Sequence, residues 1–287
     1  MPFQTPFQEA TESREVKRTV LSPMTSKDWR DRVSPEVRER SMFSARVMEA
    51  EFLSHAAKRL KDLSVGVGKA PGDYANQATI RLELKDILAR TEYQPPEGKA
   101  GGMQDLSSDQ RLNLIIETNE RMAHGYGQWA QGQDEDVLDA FPCQELVRIM
   151  DRKEKRDWYA RWQAAGGKVF PGSPEAGGAL SPDGSGRCIA PINDPIWEAI
   201  SYFGLPYPPF DFNSGIDVLT VDRETAEGLG VIEPGRKIEP ESRGFNDGLE
   251  ANPQGMDPEI QAELIDALGD DYEEGPGGVI RFVGGGE

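Results

Sequence analysis

The sequence predicts an α+β protein: a helical N-terminal part, then a small mixed α+β domain, then an acidic, partly disordered tail. Three observations carry this expectation. Apolar residues recur at helical spacing between residues 34 and 131. Short apolar runs bounded by turn residues follow between 141 and 221. Acids, proline and glycine then dominate from 233 onward. The expected divisions are a mobile arm at 1–26, a helical region at 27–104, a folded domain at 105–232 and an acidic tail at 233–287 with one short helix.

Taken in order, Ser26 or Thr25 is placed to cap a helix over Lys27–Val33. Ser34-Pro35-Glu36 opens a longer helix, because proline suits a first turn and an acid beside it complements the helix dipole. Phe43, Val47, Met48, Phe52, Ala56, Leu60 and Leu63 would form its apolar stripe. A second helix is expected near Asp73–Thr91 on Ile80, Leu84, Ile87 and Leu88, and residues 92–104 read as a linker. Asp105 or Ser107 then starts a long helix to about Gln131. Its stripe is Leu112, Ile115, Ile116, Met122, Tyr126 and Trp129, with His124 turned away from it.

Leu146, Val147, Ile149 and Met150 suggest a short strand within Phe141–Met150. A charged turn, Asp151–Arg156, leads into a helix holding Trp158, Tyr159 and Trp162, which Gly166-Gly167 stops. Lys168-Val169-Phe170 reads as extended, and 171–186 as a flexible Gly/Ser/Pro loop. Asn193 or Asp194 with Pro195 begins a helix through Ile196, Trp197 and Ile200 that ends at Gly204. Beyond it, Tyr202, Phe203, Tyr207, Phe210 and Phe212 interleave with Pro206, Pro208 and Pro209. Proline fixes φ and removes a donor, so this is a loop, and its aromatics can pack it as a fixed plug. Ile216–Val221 is extended, and Asp222 caps a small helix, Arg223–Leu229, that Gly230 ends. An amphipathic helix is expected at Pro258–Leu268 and a strand at Val279–Val283.

Composition bounds the function. Hydrophobic residues make up 37% of the 287 positions, charged residues 29%, and the formal net charge is −18. No run of about eighteen apolar residues offers a membrane span. The opening MPFQTPFQEA lacks a basic region followed by an apolar run, so no signal peptide is expected. Cys143 and Cys188 are too few for a disulfide framework or a four-cysteine zinc site, which points to an intracellular chain. Residues 1–190 carry 27 basic and 29 acidic side chains, whereas 191–287 carry 5 and 21. A duplex-binding surface in the last third is therefore disfavoured, and any DNA contact falls to the N-terminal part, where Arg30, Arg32, Arg38, Arg40 and Arg46 cluster.

Motifs with a chemical mechanism are missing. The Gly-rich pieces lack a GK[ST] ending, and neither GxSxG nor HExxH occurs. Cys143 has no neighbouring histidine to activate it, and only His55 and His124 are present. No catalytic, cofactor-binding or metal residue is assigned, and no cofactor is expected.

The order of several short motifs carries more. ETNERMAHGYGQWAQ (Glu117–Gln131) is followed by a strand ending near Asp151, then Arg156, GGKVF (Gly166–Phe170), DPIW (Asp194–Trp197) and YPPF (Tyr207–Phe210). This order resembles the phage Mu protein F-like family of head morphogenesis (minor capsid) proteins, over about residues 110–232. Thr118, Asn119, Arg121, Ala123 and Gly127 match its helix. Asp151, Arg156, Gly167, Lys168, Val169 and Phe170 match its centre. Asp194, Pro195, Trp197, Tyr207, Pro208 and Pro209 match its end. The family's closing Cys-Arg-Cys is replaced by Phe212-Asn213-Ser214, its histidine before GKVF is absent, and the 171–186 loop is inserted. Packed aromatics are expected to close the loop in place of the cysteines.

The resemblance implies a minor structural protein of a tailed phage or prophage. It would associate with the portal and other head proteins during procapsid assembly and DNA packaging or delivery. It would be cytoplasmic during assembly and then in the virion head, with docking through residues 1–65. Two other classes stand beside it: a DNA-binding module using the arginines at 30–46, and a toxin- or nuclease-type effector. The 55 residues after 232 are short and acidic for an effector's catalytic domain.

Overall fold

In a computed structural model of the protein, the described residues are 9–10, 13, 17–20, 24–43, 50–64, 77–152, 155–241, 250–251, 272–274 and 280–282. The fold is α+β, divided into two units: Met1–His124 with Gly244–Glu287, and Gly125–Arg243. The helix expected at Pro258–Leu268 lies outside the described residues.

In the first unit, strand β1 (Arg18–Val20) precedes helix α1 (Ser26–Arg32). Thr25, not Ser26, is the N-cap. Its hydroxyl accepts from Asp28 N at 3.1 Å, and the Asp28 carboxylate accepts from Thr25 N at 3.2 Å, a reciprocal capping box. Pro35 opens α2 (Pro35–Arg40), but the single helix expected from Pro35 to Leu63 does not form. Ser41 turns to extended geometry, and its hydroxyl donates to Val37 O at 2.6 Å, capturing a carbonyl at the helix end. Ser41–Phe43 becomes strand β2, parallel to β1, with Thr19 opposite Met42. Met42 enters the core by this route.

The helical pattern resumes in α3 (Ala50–Ser64), α4 (Gln77–Arg90) and α5 (Asp109–Gln131), whose last residues from Gly125 belong to the second unit. Phe52, Leu53, Ala56 and Leu60 pack with Ile80, Leu84, Ile87, Leu88, Leu112 and Ile116 in one core. Outside it, Arg59 forks onto Glu83 at 2.6 and 2.9 Å, and His55 Nε2 lies 3.0 Å from Glu83 Oε2. Residues 92–104, a linker by composition, form turns tied at their end by buried Asp105, which accepts from Gly101 N, Ser107 N and the Ser107 hydroxyl. Ser108 caps α5 by accepting from Arg111 N. Glu250–Ala251 (β7), Tyr272–Glu274 (β8) and Ile280–Phe282 (β9) form a small antiparallel sheet in the order β7-β9-β8. Its last strand falls within the expected Val279–Val283.

Burial raises the Glu83 carboxyl, but the His55 and Arg59 contacts outweigh it and hold the group below its ordinary range. The same balance, with Ser107 and Gly101 as donors, depresses Asp105. Both carboxyls are depressed on folding, so their contribution is complete above their unfolded pKa values of about 4 and fades as pH falls through the folded ones. Thermal melts from pH 7 to pH 3 are expected to lose stability below about pH 4.5. The Glu83→Gln and Asp105→Asn variants should be less stable at neutral pH and show a flatter acid limb. An unchanged limb in both would contradict this.

The second unit is built on an antiparallel sheet. After α6 (Glu135–Ala140), capped by Asp134, come β3 (Cys143–Arg148), α7 (Trp158–Ala164), β4 (Phe170–Pro171), β5 (Gly186–Pro191), α8 (Ile196–Ile200), β6 (Ile216–Val221) and α9 (Arg223–Gly228). The strand order is β4-β5-β3-β6. Residue alternation gives the sheet two buried faces. Leu146, Cys188, Ala190 and Ile216 meet Trp158, Trp162, Trp197, Ile200 and Phe210 on one face. Cys143, Ile189 and Val221 meet Ala226 and Ile232 on the other. Composition from Glu233 onward argues against order, yet residues 233–241 are held as a strap. Gly235 N donates to Glu227, Arg223 Nη1 to Arg236 O, Asn193 Nδ2 to Glu239 O, and Glu241 N to Gln133 Oε1.

Candidate functional site

The matched motif residues have two kinds of placement. Thr118, Asn119 and Arg121 lie on the first-unit part of α5, where Thr118 is buried and Asn119 Nδ2 donates back to Ile115 O within the helix. Asp151 does not end a strand as the motif order predicts, because β3 stops at Arg148. Asp151 is exposed and pairs with Lys155 at 2.8 Å, a contact that lowers its pKa. The remaining motif residues gather in the second unit.

There, each does a packing or closing task. Trp162 donates its indole N–H to Lys168 O at 2.7 Å and lies flat against Gly167, where any Cβ would strike the ring. Lys168 leaves its amine exposed, Val169 packs on the tryptophan face, and Phe170 packs on the opposite one. Asp194 accepts from Ile196 N at 2.8 Å ahead of α8, with exposed Pro195 entering the helix. Trp197, fully buried, donates to Pro191 O and stacks on Phe210 at 5.8 Å.

The plug closes over this. Tyr207 sits edge-on to Tyr126 and tilted against Trp129, both from the end of α5, and the Pro208–Pro209 peptide is cis. Tyr202, Phe203 and Phe212 form a second aromatic group at 4.8 to 5.7 Å. A clamp that composition does not reveal holds the loop's end. The Arg161 guanidinium pairs with nearly buried Asp211 at 3.1 Å and lies over the Trp158 ring. Arg156 donates to Phe212 O at 2.8 Å. Gly215, at φ +68°, accepts from Ile149 N and Met150 N and fixes the turn against the end of β3.

Phe210 has no exposed surface, so Phe210→Ala is expected to cost about 3–5 kcal/mol. Half-buried Phe212→Ala should cost less than half of that. Chemical denaturation of the two variants checks the order, and equal midpoints would contradict it.

Residues that sequence reasoning missed are the ones paired over long separations. Glu145 and Arg187 form a buried bidentate pair across neighbouring strands, with contacts of 2.7, 3.1 and 3.2 Å. That hydrogen bonding raises the arginine's pKa. Gln133 and Asn193 exchange amide hydrogen bonds. The two cysteines are unpaired and on opposite sheet faces, and burial pushes both thiols up to about 12. Among the described residues no group of three His, Cys, Asp or Glu could hold a metal ion, and no helix is long and apolar enough to cross a membrane.

A concavity lies beside this closure. A cleft of about 640 Å³ lies between the Gly166–Lys168 turn, the β5–α8 connection and the strap. Phe170, Ile189, Ile196, Val231 and Ile238 supply its apolar floor. Lys168, Arg236 and Lys237 stand at its rim with Asp194 and Glu239. No family model, curated protein or solved structure matches the chain.

Proposed function

We propose that the protein is a minor structural protein of a tailed-phage or prophage head that docks on the portal during head assembly and resides in the virion head. The observation that supports this reading most is the use made of the ordered motifs. Arg156, Gly167, Asp194, Trp197 and Tyr207 lie far apart in the chain, yet each closes or packs one small unit. Gly167 and Asp194 border one cleft, whereas Arg156, Trp197 and Tyr207 pack away from it. Such a set suits a rigid body presented to a partner better than a turnover site.

The arginines of the N-terminal region favour protein docking over a duplex track. Arg40 is buried against Glu39, and Arg30 is paired with Asp31. Removing residues 1–65 is a poor test of docking, because Phe52, Leu53, Ala56 and Leu60 form part of the first unit's core. Surface reversal avoids that. Lys27, Arg32 and Lys58 are exposed, so Lys27→Glu, Arg32→Glu and Lys58→Glu together should leave the melting transition in place. They should also reduce co-purification with the portal protein of the same gene cluster. Undiminished capture would refute docking through this region.

A further inference from the structure

We infer that the cleft beneath the strap is a binding site for an acidic, apolar-flanked peptide segment of a partner protein. This rests on the cleft itself and not on the head-protein reading. Charge at the rim favours an acidic ligand. The side chains of Lys168, Arg236 and Lys237 are exposed at the rim, and none makes a hydrogen bond or ion pair among the described residues. Arg236 and Lys237 are two of only 5 basic residues set against 21 acidic ones after residue 190, and Lys168 joins them at the same cleft. Two of the three come from the strap and the third from the Gly166–Lys168 turn, so the strap's anchoring sets their spacing. That anchoring runs through Arg223, Asn193, Gln133 and Glu227.

Shape and lining favour a short apolar-flanked segment. The apolar floor accepts side chains such as leucine or isoleucine, and the volume of about 640 Å³ suits a few residues of extended chain rather than a metal or a single anion. The rim's mixed charge separates peptide from nucleic acid. Asp194 and Glu239 share the rim. Their carboxylates would repel a phosphate chain charged at every unit, whereas a peptide can place its spaced acids opposite the cations and give backbone N–H groups to the carboxylates. Three cations over one cleft are also far short of the extended positive track that a nucleic acid strand uses.

The test uses the full-length protein and three labelled probes: a heptapeptide alternating Asp or Glu with Leu or Ile, the same peptide with Asn and Gln in place of its acids, and a twelve-nucleotide single-stranded DNA. Fluorescence anisotropy is expected to show saturable binding of the acidic peptide, weakened about tenfold in the Lys168→Glu, Arg236→Glu, Lys237→Glu variant. The neutral peptide should show a similar loss. Ala199 lines the cleft and is exposed, so Ala199→Trp should occlude it and abolish binding without altering charge. Circular dichroism checks that both variants are folded. The inference is overturned by no binding of the acidic peptide up to about 1 mM, by equal binding to the folded variants, or by binding of the DNA in its place.

Discussion

Gly125→Ala is expected to destabilise the second unit by about 3–5 kcal/mol, the reverse of what the substitution does in an ordinary helix. In an exposed helix interior, alanine is favoured over glycine by about 1 kcal/mol. Here the last turns of α5 press backbone to backbone on the plug, and a Cβ on Gly125 would overlap the Pro208 carbonyl group and crowd Tyr207. The obstacle is main chain, bracketed by two buried prolines, so no rotamer change relieves it. Gly228, the last residue of α9, is the control, because a Cβ there would meet open space, with no neighbouring atom within 4 Å. Gly228→Ala should therefore be neutral or mildly stabilising. Urea unfolding of both variants measures the contrast. A Gly125→Ala protein as stable as its parent would show that α5 and the plug do not approach as described.

The second large effect concerns Glu145 and Arg187. Their side chains are 2% and 10% exposed, so removing one leaves the other's charge without water or partner. Either single alanine variant should cost about 3–5 kcal/mol. The pair itself is less valuable than those figures suggest, because desolvating both ions offsets much of their attraction. Replacing both by apolar residues of similar volume, Glu145→Leu with Arg187→Met, should recover most of the loss. Chemical denaturation of Glu145→Leu, Arg187→Met and the double variant, which together close a double-mutant cycle, reads this directly. Additive losses in the double variant would contradict the account.

These two predictions rest on what the sequence hides, and the reason is sequence separation. Features decided within a few residues are legible. The stripe of Ile80, Leu84, Ile87 and Leu88 is buried, Thr25 and Asp222 cap their helices, and Ile216–Val221 is a strand. The plug is legible as a packed aromatic loop, since Phe210 and Tyr207 are buried. Strand β5 is not, because Gly186–Pro191 follows a Gly/Ser-rich loop and ends in proline, signals that locally argue against a strand. The break after Arg40 is hidden by an apolar spacing that continues through it, and tertiary pairing with β1 overrides that pattern. The Glu145–Arg187 pair spans 42 residues and the Arg161–Asp211 pair 50. Neither has a local signature. At Gly125 the sequence shows only a glycine beside a tyrosine, and the matched family position is Gly127, two residues on.

The central claim, a head protein that docks on the portal, is tested most directly by co-expressing the full-length chain with the portal protein of its own gene cluster. Mass photometry of the size-exclusion peak is the measurement. The account predicts a stable complex of defined stoichiometry, with few copies of this chain per portal ring. A folded monomer that elutes apart from an intact portal ring would contradict it.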